Sequence, residues 1–301
     1  MKKNKILIGT RASKLALNYA NRAKNEISKV FSGKIEIVKI TTDGDKNQKD
    51  RLSEIGGKGL FSKKIEEELI DKNIDVAVHS LKDMPSEETL GLISNCFLKR
   101  NAPEEILITK ENKKFSELNS NAIIGTSSFR REFQLKRIRN DLNYKTIRGN
   151  IDTRISKINN KDYDGIILAK AGIKSLNLDH LISQEFSTQE IIPSAGQGIV
   201  SIQCRENDTE VINILNKVND KISSISAEAE RKVLKILEGD CYTAVGVFSN
   251  INNDDFEISG ELFSLDGKHR FFKTIKDKIS NFLKVSIELG NYLKRESKDS
   301  Y

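Results

Sequence analysis

A repeated local pattern constrains the fold of this chain more than any other feature. KILIGTRASKLAL, starting at Lys5, and NAIIGTSSFRREFQL, starting at Asn121, share one order of parts. Each has a short apolar run, then Gly-Thr, a few polar residues and an amphipathic helical stretch. A second pair follows in the same order. IDVAVHSL at 74–81 and YDGIILAKAG at 163–172 each set an aspartate ahead of an apolar run. Near-continuous apolar runs of this length suit strands covered on both faces by helices. The spacing from the first pair to the second differs, so two related α/β lobes carry different insertions.

Breaks between lobes fall at LKRNAPEE (98–105), around Pro103, and at IIPSAGQGI (191–199), around Pro193, Gly196 and Gly198. If VSIQC (200–204) returns to the first lobe as a strand, two crossings make a hinge with a cleft beside it. The remainder differs in kind. AEAERKVLKILEGD reads as a helix ending at Gly239, and YTAVGVFSN, FEISGELFS and HRFFKTI read as strands, with an Asp266-Gly267 turn before the last. NFLKVSIELGNYL closes as a helix. The expected domains are 1–98 with 199–216, 104–192, and a small α+β domain over 221–301.

The chain has 301 residues, 31% of them charged, and no apolar run approaches the ~20 residues that span a bilayer. The N-terminal MKKNKILIGT lacks the apolar length of a secretory signal. These features predict a cytoplasmic protein with no membrane association. Cys96, Cys204 and Cys241 form no metal-ligand spacing, and with three histidines no metal site is expected. The net charge of +7 suits an acidic small molecule, while 6% aromatics without Trp argue against base stacking on single-stranded nucleic acid.

The informative anomaly lies at the helix starts. In GTSSFRREFQLKRI, Phe129, Phe133, Ile138 and Leu142 track one face, and Ser127 or Ser128 can cap the helix. Arg130 and Arg131 then fall in the first turn, where cations cost about 0.3–1 kcal/mol each. Two arginines, hydroxyls and free backbone N–H groups together suit an anion. Arg11 and Ser13 open the first helix, Lys58 sits in a glycine-rich loop before KKIEEELI, and Arg148 and Arg154 flank another helix start. Arginine forks favour carboxylates, with phosphates as the alternative.

Asp83, in HSLKDMPS, follows a buried strand at the end where α/β sheets bind ligands. It is either a loop aspartate neutralising Lys82 or a lone anion that stabilises a cation formed in a reaction. His79 reads as a hydrogen-bonded structural residue. Cys241, taken by itself, reads as a small apolar residue in a turn.

GTRASKLAL, GGKGLF, AVHSLKDMP, GTSSFRR, RGNIDTR, PSAGQG and a late GDC occur together, and the chain resembles the porphobilinogen deaminase (hydroxymethylbilane synthase) family over nearly its whole length. The resemblance implies two periplasmic-binding-protein-like α/β lobes with a cleft between them, plus a small C-terminal α+β domain. It implies a transferase that condenses four porphobilinogen units head to tail with loss of ammonia. The growing chain hangs from a dipyrromethane cofactor, joined by a thioether to a cysteine that matches Cys241. Each pyrrole carries an acetate and a propionate, so the chain is polyanionic. By the same resemblance Lys82, Ser128, Arg130, Arg131 and Arg154 contact the cofactor. Arg11, Ser13, Arg148, Asn150, Gln197 and Lys58 contact substrate, and Asp83 is the catalytic carboxylate. A monomer is expected.

Three departures from the family's usual pattern stand out: Asp240 before the cysteine in place of glycine, Ala244 in place of proline, and Ser175 in place of arginine. They predict a slower cofactor attachment, a looser loop and one cation fewer. The competing reading is a cytoplasmic two-lobe module that binds small anions without catalysis; it has no use for Cys241.

Overall fold

The computed structural model describes residues 3–42, 59, 62–160, 162–238, 243–298 and 300–301. Two five-stranded sheets repeat one plan. The first contains β1 (Lys5–Arg11), β2 (Lys34–Ile40), β3 (Val76–Ser80), β4 (Leu92–Phe97) and β10 (Val200–Arg205), in the order β2-β1-β3-β10-β4. The second contains β5 (Glu105–Thr109), β6 (Ile123–Gly125), β7 (Asn143–Lys145), β8 (Gly165–Ala169) and β9 (Gln184–Phe186), in the order β7-β6-β8-β5-β9. In each, four strands run in one direction and the one in fourth position, β10 or β5, runs antiparallel to them. VSIQC does return to the first sheet, so the chain crosses between lobes twice.

The paired aspartates explain part of the repeat. Asp75 Oδ2 accepts from the Leu7 N–H at 2.8 Å, and Asp164 Oδ2 accepts from the Ile123 N–H at 2.7 Å. Each carboxylate satisfies a strand-start donor that the neighbouring parallel strand cannot reach.

Helices cover both faces of both sheets. The helices α1 (Lys14–Ser28) and α2 (Lys63–Ile70) belong to the first lobe, and α3 (Phe129–Ile138), α4 (Ile151–Asn159) and α5 (Lys170–Ser175) to the second. In the first lobe Ile6, Ile8 and Val78 meet Ala20, Ala23 and Ile27 of α1, while Ala77 meets Ile65 and Leu69 of α2 on the other face. In the second lobe Ile167 packs with Leu135 and its neighbours Ile166 and Leu168 pack with Ile147 and Ile158 on the opposite side. This two-sided burial is why the strands are apolar without alternation. Leu142 lies beyond α3, which ends where Arg139 turns extended, and Ile138 is exposed, so neither shares the helix face with Phe133 as expected.

The α6 helix (Thr209–Val218) completes the first lobe, and α7 (Lys221–Leu237) begins the small domain. There β11 (Val245–Asn252), β12 (Asp255–Phe263) and β13 (Arg270–Lys278) form an antiparallel sheet, backed by α7 and α8 (Phe282–Ser297). Gly267 takes φ +71° in the β12–β13 turn, which its position after Asp266 predicts. The two crossings hold close contacts. Gly198, at φ +85°, leaves no room for a side chain because a Cβ would lie 2.4 Å from the Asn101 carbonyl of the other crossing.

Candidate active site

The first lobe supplies side chains from the C-terminal ends of β1 and β3. Arg11 is the last residue of β1, and Ser13 caps α1 by accepting from the Ala16 N–H at 3.3 Å. After β3 the chain makes a single 3-10 turn, Leu81–Asp83. Leu81 is buried and fixes this turn; a Cβ on Gly196, at φ +73°, would come within 2.7 Å of it. Asp83 is exposed and lines a pocket with Arg11, Ser13, Tyr19, Ser62 and His79. His79 is buried, and burial pushes its imidazole down to about 4, so it is neutral at pH 7.

The second lobe supplies the start of α3. Ser128, not Ser127, is the cap; its Oγ accepts from the Arg131 N–H at 3.4 Å. Arg130 and Arg131 are both buried, and one carboxylate answers both. Glu105, fully buried at the first position of β5, lies 2.6 Å from Arg130 Nη2 and 2.8 Å from Arg131 Nη2. Arg130 Nη1 donates to the Ile192 carbonyl and Arg131 Nη1 to the Ile167 carbonyl. Burial opposes ionisation of Glu105, but Arg131, then Arg130 and Lys82, more than offset it and hold the carboxyl far below its usual range. Glu105 was not among the residues expected from sequence. Only the antiparallel placement of β5 beside β8 brings it under α3, and no local pattern signals that.

The two sets meet across the cleft. Lys82 Nζ donates to Gln197 Oε1 at 3.2 Å, and Gln197, fully buried, donates through Nε2 to the Pro103 carbonyl. Burial, then Arg131, pushes the Lys82 ammonium down to about 8 against the pull of Asp83 and Glu105. Arg154 donates to the Gly149 carbonyl at 2.8 Å; burial, then Arg131 and Arg148, lowers it to about 10. Arg148 is buried just ahead of α4, and Asn150 is the exposed cap residue of that helix. Cations that depress one another this way mark a region with more positive charge than its own acids balance. Among the described residues, the buried Nε of Arg131 has no hydrogen-bond acceptor.

Lys58 and Cys241 lie outside the described residues. Leu237 is buried in the small domain's core. Ala244 is buried against Phe263 and against Phe133, which stands one helical turn after Arg130, and its carbonyl accepts from the Phe263 N–H at 3.1 Å. Residue 244 itself is thus packed, while the loop for which an alanine predicts a looser course, 239–242, lies outside the described residues.

Two family models match: porphobilinogen deaminase, dipyrromethane cofactor binding domain, over residues 6–213, and porphobilinogen deaminase, C-terminal domain, over 224–297. The chain belongs to the porphobilinogen deaminase family. A porphobilinogen deaminase of Lysinibacillus sphaericus is 39% identical over 294 residues, covering 97% of this chain and 94% of the relative. One from Wolbachia sp. subsp. Drosophila simulans is 40% identical over 290 residues, covering 96% and 98%. Among solved structures, a YaeC-family lipoprotein of Enterococcus faecalis covers 73% of this chain and 93% of its own at 12% identity and TM-score 0.45, a likeness too slight to argue from.

As a member of the family the chain is a transferase of tetrapyrrole biosynthesis that acts on porphobilinogen and carries a dipyrromethane-binding domain. The non-catalytic anion-binding alternative falls with that finding. At Ser175 the chain builds a junction between lobes. Asn18 of α1 donates to the Ser175 carbonyl at 2.7 Å, and Asn101 of the first crossing donates to its Oγ at 3.3 Å.

Proposed function

We propose that Asp83 is the catalytic carboxylate of hydroxymethylbilane synthesis and that Cys241 anchors the dipyrromethane through a thioether. The observation that carries this reading is the convergence of Lys82, Arg130, Arg131, Arg148 and Arg154 on a cleft whose own buried acid is Glu105. Such a site fits a group with several carboxylates, and the unpartnered Nε of Arg131 supports the fit. Lys82, Ser128, Arg130, Arg131 and Arg154 hold the cofactor's acetates and propionates. When bound, the dipyrromethane would supply the free pyrrole α-carbon that the first unit joins, each later unit joining the ring added before it.

Arg11, Ser13 and Arg148 orient the incoming porphobilinogen, with Asn150 and Lys58 as further polar contacts. Gln197 acts through Lys82, whose ammonium it holds. Loss of ammonia from porphobilinogen leaves a cation delocalised over the pyrrole. Asp83 stabilises that charge by accepting a hydrogen bond from the pyrrole N–H, and it can receive the proton that the attacked α-carbon loses once the new carbon–carbon bond has formed. His79, neutral and buried, is a structural neighbour of this carboxylate and not its base.

The division into 1–98 with 199–216, 104–192 and 221–301 is proposed on the sheet membership of β10. A cytoplasmic monomer that binds neither membrane nor nucleic acid is proposed on composition; among the described residues no helix is long and apolar enough to cross a bilayer. Intact mass of the purified chain tests the central reading. The expected mass exceeds the polypeptide by two pyrrole units, and Cys241→Ala removes the excess. A mass equal to the polypeptide, unchanged after incubation with porphobilinogen, overturns it.

A further inference from the structure

Glu105 has no assigned part in the reaction, yet it is the most constrained carboxylate near the site. Its backbone is paired on both sides, to Ala169 of β8 and Phe186 of β9. The side chain is fully buried and touches two guanidiniums at once. Those guanidiniums stand on successive residues in the first turn of a helix, where each repels the other and both face the helix dipole. Each guanidinium also donates to one main-chain carbonyl, Ile192 for Arg130 and Ile167 for Arg131, but the shared carboxylate is what ties the two planes to each other.

We propose that Glu105 is a positioning residue of the cofactor site, its carboxylate holding Arg130 and Arg131 in the orientation that presents their remaining donors, with Lys82, to the cofactor's carboxylates. The inference rests on the cofactor reading above. The carboxylate is held by two strands, so the arginines are ordered before any ligand arrives, and less ordering cost falls on binding. One negative charge between two guanidiniums also leaves the cluster a net cation, which a ligand carboxylate then completes. The third cation feels the same charge, because Glu105 favours the protonated form of Lys82.

Two variants separate charge from reach. Glu105→Gln keeps the length and loses the charge; Glu105→Asp keeps the charge and cannot span both guanidiniums. Full-length apoprotein, produced in a porphobilinogen-deficient host, is incubated with porphobilinogen, and cofactor loading is followed by intact mass. Loading slows about tenfold in both variants, as expected when a charge-assisted contact is lost. The alkaline limb of the turnover profile moves to lower pH in Glu105→Gln and stays in place in Glu105→Asp, a pattern that a general loss of stability does not produce. Loading within twofold of the unsubstituted chain, in either variant that is recovered folded, overturns the proposal. A measurement on the unsubstituted apoprotein decides the matter if neither variant folds. The Nε–Hε NMR signals of Arg130 and Arg131 are expected as sharp, separate lines before loading, and motionally averaged signals overturn it. An unsubstituted chain that never gains mass would instead refute the cofactor reading.

Discussion

The Arg100 guanidinium donates to both carboxylate oxygens of Glu230, at 2.6 and 3.3 Å. Arg100 lies in the first crossing and Glu230 in α7 of the small domain. The same carboxylate accepts from the Gly196 N–H of the second crossing at 2.7 Å and from the Ser249 N–H of β11 at 2.8 Å. Arg100 Nε meanwhile donates to the Gln197 carbonyl at 2.9 Å. One fully buried acid therefore ties both hinge segments to the small domain.

Arg100→Ala removes the cation and leaves Glu230 buried with its charge unanswered. Breaking a buried pair from one side costs about 3–5 kcal/mol. The expected result is a lower denaturation midpoint, with faster amide exchange at Gly196 and Ser249. Unchanged exchange at both amides would show that the pair does not hold the crossings.

Asp83→Asn keeps the size of the side chain and removes its charge. Turnover is expected to fall by about 10²–10⁴-fold, the usual contribution of a positioned acid–base group. Cofactor content by mass is expected to stay whole, because the cations that hold it are untouched. Near-normal turnover would take Asp83 out of the mechanism.

Lys82 carries a third prediction. Its ammonium, lowered to about 8, is lost as pH rises through that value, and with it one contact to ligand carboxylate. Because Lys82 holds the cofactor and not the incoming unit, turnover is expected to fall between pH 7 and 9. Lys82→Met should show lowered turnover throughout and no inflection near pH 8. For stability the sign is opposite. A lysine with a depressed pKa disfavours the folded state at low pH, and this cost disappears as pH rises from about 8 to 10.5.

His79 governs the acid side. Its imidazole titrates at about 4 when folded and at 6.5 when unfolded. The unfolded chain therefore binds the extra proton between those values, and stability falls as pH drops from 6.5 to about 4. The shift corresponds to about 3 kcal/mol. In His79→Asn that part of the acid destabilisation should vanish from thermal melts; an identical slope would assign it to other groups.

Much of this architecture was legible in the residues. Apolar runs such as GIILA carry their two-sided burial openly, and residue type narrows the cap of the Arg130 helix to Ser127 or Ser128, of which the fold uses Ser128. Asp83 and His79 sit where the strand ending at Ser80 must leave them. What stayed hidden depends on strands far apart in sequence. The placement of Glu105 under α3 needs the antiparallel pairing of β5 with β8. The grip of Gln197 on Lys82 needs both crossings side by side. Leu142 was misassigned to the helix because the apolar spacing continues past Arg139, where the backbone does not.

The junction at Ser175 bears on how the fold would make room for a lengthening product. Its hydrogen bonds from Asn18 and Asn101 are neutral, and nearby Lys14 meets Asp152 at 2.6 Å on exposed side chains. An exposed pair of that kind is worth about 0–1 kcal/mol. The crossings around Glu230 are buried and costly to disturb. A bulky oligomer pressing outward would thus prise α1 away from the second lobe at little expense, while the spine behind it keeps its shape.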